Sequence, residues 1–168
     1  MSHYTIAFIV DAENREDAKA SVEDLFNGGS DYSFWDATGF DHGEVLDGGG
    51  EGPDVPRVSP IDSEEGQALI QELMRGMRGT WVHYAQQLYR RMRRARSRGV
   101  SFERMWEHYT ENPMRYAAHQ LGSYAGPSIL IYEENGGGIA NEVELRRHLG
   151  SKVGDGETRF LVPADVHY

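Results

Sequence analysis

The chain has 168 residues, no cysteine, and a formal charge of −10 from 27 acidic and 17 basic side chains. That length suits one domain with a core large enough to stand without staples. The lack of Cys excludes disulfides, thiolate zinc sites and cysteine nucleophiles, and no apolar run reaches the roughly 20 residues of a bilayer-spanning helix.

No basic stretch followed by a long apolar one opens the sequence, so no secretory signal is visible. A soluble, cytoplasmic protein is expected. The net acidity argues against a surface that binds nucleic acid all over. The basic residues are 15 Arg and only 2 Lys, Lys19 and Lys152.

Residues 3–12, HYTIAFIVDA, form an apolar run that predicts a strand buried on both faces. Asn14 can cap a following helix, with Glu16 and Asp17 in its first turn. Ala18, Val22, Leu25 and Phe26 give it an apolar stripe, and Gly28 a stop. Residues 32–40, YSFWDATGF, are aromatic-rich and predict a second strand. Residues 41–60 hold five Gly and three Pro and predict a long loop or flap.

Ser63 opens a long helix that runs to about Arg98. At about 100° per residue, Ile70, Leu73, Met74, Met77, Trp81, Tyr84, Ala85, Leu88, Met92 and Ala95 share one stripe. Gly76 and Gly79 lie off it, as positions where the helix can kink. Gly99 ends the helix. Ser101 caps a short helix carrying Phe102, Met105, Trp106 and Tyr109. Asn112 and Pro113 start another, which Gly122 stops. Residues 128–138 predict a third strand and residues 141–150 a helix. Residues 158–168 predict a last strand, in which Pro163 marks an edge position or a bulge.

The order is strand, helix, strand, helical insert, strand, helix, strand. Without the insert it is the split βαβ pattern. The expected fold is therefore α+β and ferredoxin-like. It forms a single domain over residues 1–168, with a helical insertion at 60–126 between the second and third strands. In that topology the first and third strands are central, and these two are the most apolar here. The insert is expected on the sheet face that the βαβ helices leave free.

Six arginines crowd into residues 90–98. From Arg75 to Arg98 there are eight Arg and no acid, so the rest of the chain sums to −18, that is −10 less +8. Arg90, Arg93, Arg94 and Arg98 lie outside the apolar stripe, so the helix can dock by its stripe and present them to solvent. Cations near a helix C-terminus are stabilised by the macrodipole, and acidic loops can pair with them. The same face can also grip phosphates or an acidic protein.

His-Tyr-Thr occurs at residues 3–5 and again at 108–110. Two His-x-Thr motifs are what the two-histidine phosphoesterases use, each His as acid or base and each Thr on phosphate. The first copy lies on a strand, as that family requires; the second sits at a helix end. The split βαβ pattern pairs the first and last strands and so brings His3 near His167. A cross-strand surface pair is expected there, with adventitious metal as the alternative. Asp36, Asp41, Glu44, Asp47, Glu51 and Asp54 lack the spacing of an EF-hand loop. The triple glycines at 48–50 and 136–138 lack the Lys-Ser/Thr ending of a phosphate loop and predict turns. Trp81, Trp106, Tyr84, Tyr109 and Tyr116 sit at helical spacing and are expected in the core.

The opening HYTIAFIVDAENREDA and the closing FLVPADVHY resemble small uncharacterised proteins encoded by tailed phages of actinobacteria. The resemblance spans about 30 residues at the two ends. It implies a viral accessory role and carries no catalytic motif.

Together these features point to a non-catalytic binding protein for a host protein or a small ligand, with no metal and no cofactor. The expected surface joins Arg90, Arg93, Arg94 and Arg98 to Asp41, His42 and Glu44 in the acidic flap. Nucleic-acid binding through the Arg-rich helix is the alternative, and a phosphoesterase using His3 and Thr5 the next.

Overall fold

The apolar run at the start forms strand β1 (His3–Ala12). Ile6, Ala7, Phe8, Ile9 and Val10 are buried whichever face they point to, as a central strand requires. The computed structural model describes residues 3–28, 34–48, 55–101, 104 and 129–167. Helix α1 (Arg15–Phe26) follows, with the Asn14 side chain accepting from Asp17 N at 3.0 Å. Ala18, Val22 and Leu25 are its buried stripe, and Gly28 leaves it at φ 78°.

Phe34–Thr38 is a short helix, α2, where a strand was expected. The correction has a local cause. Phe34 is fully buried, with ring centroids 5.3 Å from Phe8 and 5.2 Å from Tyr132. Trp35 Nε1 donates to Phe26 O at 3.0 Å, and Thr38 Oγ1 donates back to Phe34 O at 2.7 Å. Packing of the aromatic side chains overrides their preference for a pleated strand. Gly39, at φ 77°, ends the turn.

The expected loop that follows holds two short strands, β2 (His42–Val45) and β3 (Ser59–Pro60). Both pair antiparallel with the last strand, β5 (Thr158–His167). β5 also pairs antiparallel with β1 through ten positions, from His3 opposite His167 to Ala12 opposite Thr158. β4 (Ile131–Glu133) runs parallel to β1 on its other side. Gly136 closes a turn after β4 at φ 84°, and its N donates to Glu133 O. Helix α4 (Glu142–Leu149) is capped by the Asn141 side chain, which accepts from Val143 N and Glu144 N.

The sheet order is β2-β5-β1-β4, with β3 also on β5. The first strand is central, as expected. The third, β4, has β1 as its one ladder partner among the described residues, and the second central position goes to β5. The strand after α1 joins β5 instead of β4. The architecture is thus α+β with a five-stranded mixed sheet and a long helix between strands, and its order departs from the ferredoxin-like one. Pro163 lies within the doubly paired β5, at neither an edge nor a bulge. Its carbonyl accepts from Leu46 N at 2.9 Å. A residue's N–H and C=O point to the same side of a strand, so the missing donor faces the position just past Val45, where β2 stops.

Two compact units divide the chain, Met1–Arg75 with Tyr124–Tyr168, and Gly76–Ser123. The division falls within α3 (Glu64–Ser97), whose first turn is capped by Ser63 Oγ accepting from Gly66 N. In the first unit α3 buries Leu69, Ile70 and Leu73. In the second, Met77 is buried, while Tyr84, Ala85, Leu88, Met92 and Ala95 are half-buried. Trp81, in the centre of the same stripe, is 55% exposed, so its expected place in the core is corrected. Periodicity identifies the apolar face of a helix, not how far along it a covering surface extends. The helix runs unbroken through Gly76 and Gly79. Ser101 Oγ accepts from Arg104 N at 3.3 Å, as a cap would. The two helices expected beyond it, with Trp106, Tyr109 and Tyr116, lie outside the described residues. Among the described residues no helix is long and apolar enough to cross a membrane.

Candidate histidine and carboxylate site

Successive side chains of a strand alternate between faces, so residues two apart point the same way. Three strands of the first unit each bring a histidine and an oxygen side chain at that spacing: His42 and Glu44 on β2, His167 and Asp165 on β5, His3 and Thr5 on β1. The ladder aligns them. His42 and His3 both lie opposite His167, on its two sides, and Glu44 and Thr5 both lie opposite Asp165. A row of three histidines thus runs across the end of the sheet, beside a row of Glu44, Asp165 and Thr5.

The side chains converge. His3 Nδ1 lies 2.7 Å from Asp165 Oδ2, and His167 Nε2 lies 3.4 Å from the same oxygen. The His3 and His167 rings are 4.1 Å apart, and the His42 ring stands edge-on to His167 at 5.6 Å. One donor atom each from His3, Asp165 and His167 falls within 4.8 Å of the others. The His3 side chain is 61% exposed, against 22% for Asp165 and 17% for His167. The cluster is therefore open to solvent on the His3 side and walled on the β5 side.

His3 and His167 were expected to meet as a cross-strand pair, and they do. Asp165 was missed. Its signal is the Asp-x-His spacing in the last strand, which matters only once the register places it against His3. The second His-x-Thr, at 108–110, lies outside the described residues. What the ladder sets opposite His3 and Thr5 is His167 and Asp165.

At the far end of the same ladder, Arg159 and Asp11 form a second polar cluster that sequence reasoning did not single out. Arg159 Nε and Nη2 donate to the two Asp11 oxygens, each at 2.6 Å, and Nη1 reaches the carbonyls of His148 and Leu149 at the end of α4. The hydrogen bond to Asp11, against the opposing effect of burial, raises the guanidinium above its ordinary pKa. With its side chain 6% exposed, Arg159 serves to tie α4 to the sheet.

Arg90, Arg93 and Arg94 on α3, and Arg98 just past its end, are exposed in the second unit. Among the described residues none of them forms an ion pair. Arg94 lies in the last turn, where the macrodipole favours a cation. By sequence, Gly76–Ser123 carries nine Arg and three Glu, a net of +6, and the remainder, −10 less +6, carries −16. Asp41, His42 and Glu44 are exposed in the first unit, so the expected composite surface draws on both units.

The family model described as a domain of unknown function (DUF7995) matches residues 2–168. No curated protein and no solved structure matches the chain.

Proposed function

We propose, for a chain that belongs to the DUF7995 family, a non-catalytic binding function: a cytoplasmic accessory protein that engages an acidic protein partner through the arginine face of α3. One observation carries this reading. Arg90, Arg93, Arg94 and Arg98 are exposed and without ion pairs among the described residues, in a unit of net +6. Such a face steers an anionic partner and sets the rate of encounter. The accessory role, on a host protein, follows from the resemblance of the chain ends to phage proteins.

Nucleic acid is the second reading, and a specific feature favours it. Trp81 and Tyr89, at 55% and 64% exposed, stand on the helix that carries the arginines, and exposed aromatics beside cations suit base stacking. Against it stands the −16 of the remaining chain, which repels a phosphate backbone.

The test captures partners from the host, then reconstitutes each with purified protein. Labelled duplex DNA and single-stranded RNA are titrated in parallel at physiological salt. The expected result is a binary complex with an acidic protein, whose association rate falls as salt is raised. Micromolar or tighter binding to DNA or RNA, with log affinity falling linearly in log salt, establishes the second reading instead. Failure of both overturns the arginine face as a binding surface.

A further inference from the structure

We infer that His3, Asp165 and His167 form a binding site for one divalent first-row transition-metal ion, with His42 beside it as the nearest further ligand. The donor set is chemically suited: two imidazoles and a carboxylate bind zinc, cobalt, nickel or ferrous ions.

The spacing fits as well. Zinc holds nitrogen and oxygen donors at about 2.0–2.2 Å, which places neighbouring donors of one ion roughly 3–3.5 Å apart. The two separations from Asp165 Oδ2 are 2.7 and 3.4 Å, and all three donors fall within 4.8 Å of one another. Small side-chain rotations on a fixed backbone therefore suffice.

The backbone is fixed by the ladder, since all three ligands stand on rungs of the β1–β5 pairing. A ladder position sets Cβ direction more firmly than a loop does. Glu44, opposite Asp165 on β2, adds negative charge beside the ion, and the surrounding unit is acidic. His42 faces His167 from the other side, with rings 5.6 Å apart. Three protein ligands leave coordination positions open toward the exposed side of His3, where water or a small anionic ligand can enter.

Without metal, His3 Nδ1 and Asp165 Oδ2 lie at hydrogen-bond distance, 2.7 Å. An ion bound there takes the Nδ1 lone pair of the neutral His3 ring, whose single proton then sits on Nε2.

Tag-free, chelator-treated protein is titrated with zinc by calorimetry, and with cobalt by visible absorption. One equivalent is expected at micromolar or tighter affinity, with a cobalt d–d band of low symmetry. Asp165→Asn and His167→Gln are expected to weaken zinc by more than about 100-fold, beyond the roughly 10–100-fold loss typical of an outer-shell change. Saturation only in the millimolar range, or equal affinity in the His3→Gln/His167→Gln double variant, overturns the site. Should the variants unfold, the wild-type protein still decides. Cobalt must broaden the NMR signals of Thr5 and Val166 before those of His83, and broadening led by His83 overturns the site. The arginine face is untouched by every outcome.

Discussion

Arg159 concentrates more polar contacts than any other described side chain. Its guanidinium saturates both Asp11 oxygens and reaches the last carbonyls of α4. Replacing it with Met leaves Asp11 charged and half-covered and returns orphan carbonyls to the helix end. Arg159→Met is expected to cost about 3–5 kcal/mol, the usual loss when one partner of a buried pair is removed, read as a fall in the denaturant midpoint. A folded-state pKa above the unfolded one gives stability that is present in full below the unfolded value. It is lost only as pH rises through the folded value. For a guanidinium that window is strongly alkaline, so the loss should be constant from mildly acidic to mildly basic pH. Ser59 is the opposite case. Its Oγ is buried without a hydrogen-bond partner among the described residues, and so costs stability instead of adding it. Ser59→Ala should leave the midpoint unchanged or raise it slightly; a drop of more than about 1 kcal/mol would reveal a partner for the hydroxyl.

At the scale of elements, α3 sets one substitution against itself. Gly79 faces open space in the helix interior, so Gly79→Ala should stabilise by roughly 0.5–1 kcal/mol through helix propensity alone. Gly66 lies in the first turn, where an added Cβ would run into the Pro60 carbonyl oxygen and Ile61 backbone. Gly66→Ala should destabilise by about 1–3 kcal/mol, as overpacking does. Paired thermal melts with opposite signs would confirm both placements. Elements with strong local signals were legible before the fold was seen. Asn14 caps α1, Ser63 caps α3 and Gly99 ends it, because caps and stops are settled within one turn of chain. Residues 34–38 were not, since their helix depends on burying Phe34 among Phe8 and Tyr132, both distant in sequence. β2 was hidden for a related reason. His-Gly-Glu-Val has little strand character of its own and exists through its pairing with β5. The histidine row inherits that limit: residue types and spacings are visible in the chain, but their alignment is a property of register.

At the scale of the whole molecule the dominant feature is charge segregation by sequence, +6 in one unit and −16 in the rest. It gives the arginines two separable roles, as helix-end cations and as a docking face. Replacing Arg90, Arg93, Arg94 and Arg98 together with Gln keeps helix propensity nearly constant and removes four charges. The macrodipole acts only within the last turn, at about 0.3–1 kcal/mol per exposed charge. Arg94 lies in that turn and Arg98 just beyond it, whereas Arg90 and Arg93 lie further back. The variant should therefore lose no more than about 2 kcal/mol in a denaturant titration and keep its helical circular dichroism. Its association with an acidic partner should slow sharply at low salt. That difference from the wild type should shrink as the Debye length falls from about 10 Å at 0.1 M to about 3 Å at 1 M. Partner binding by the folded variant at the wild-type rate would remove the face from the binding surface. A stability loss well above 2 kcal/mol would make the arginines part of what holds the second unit together.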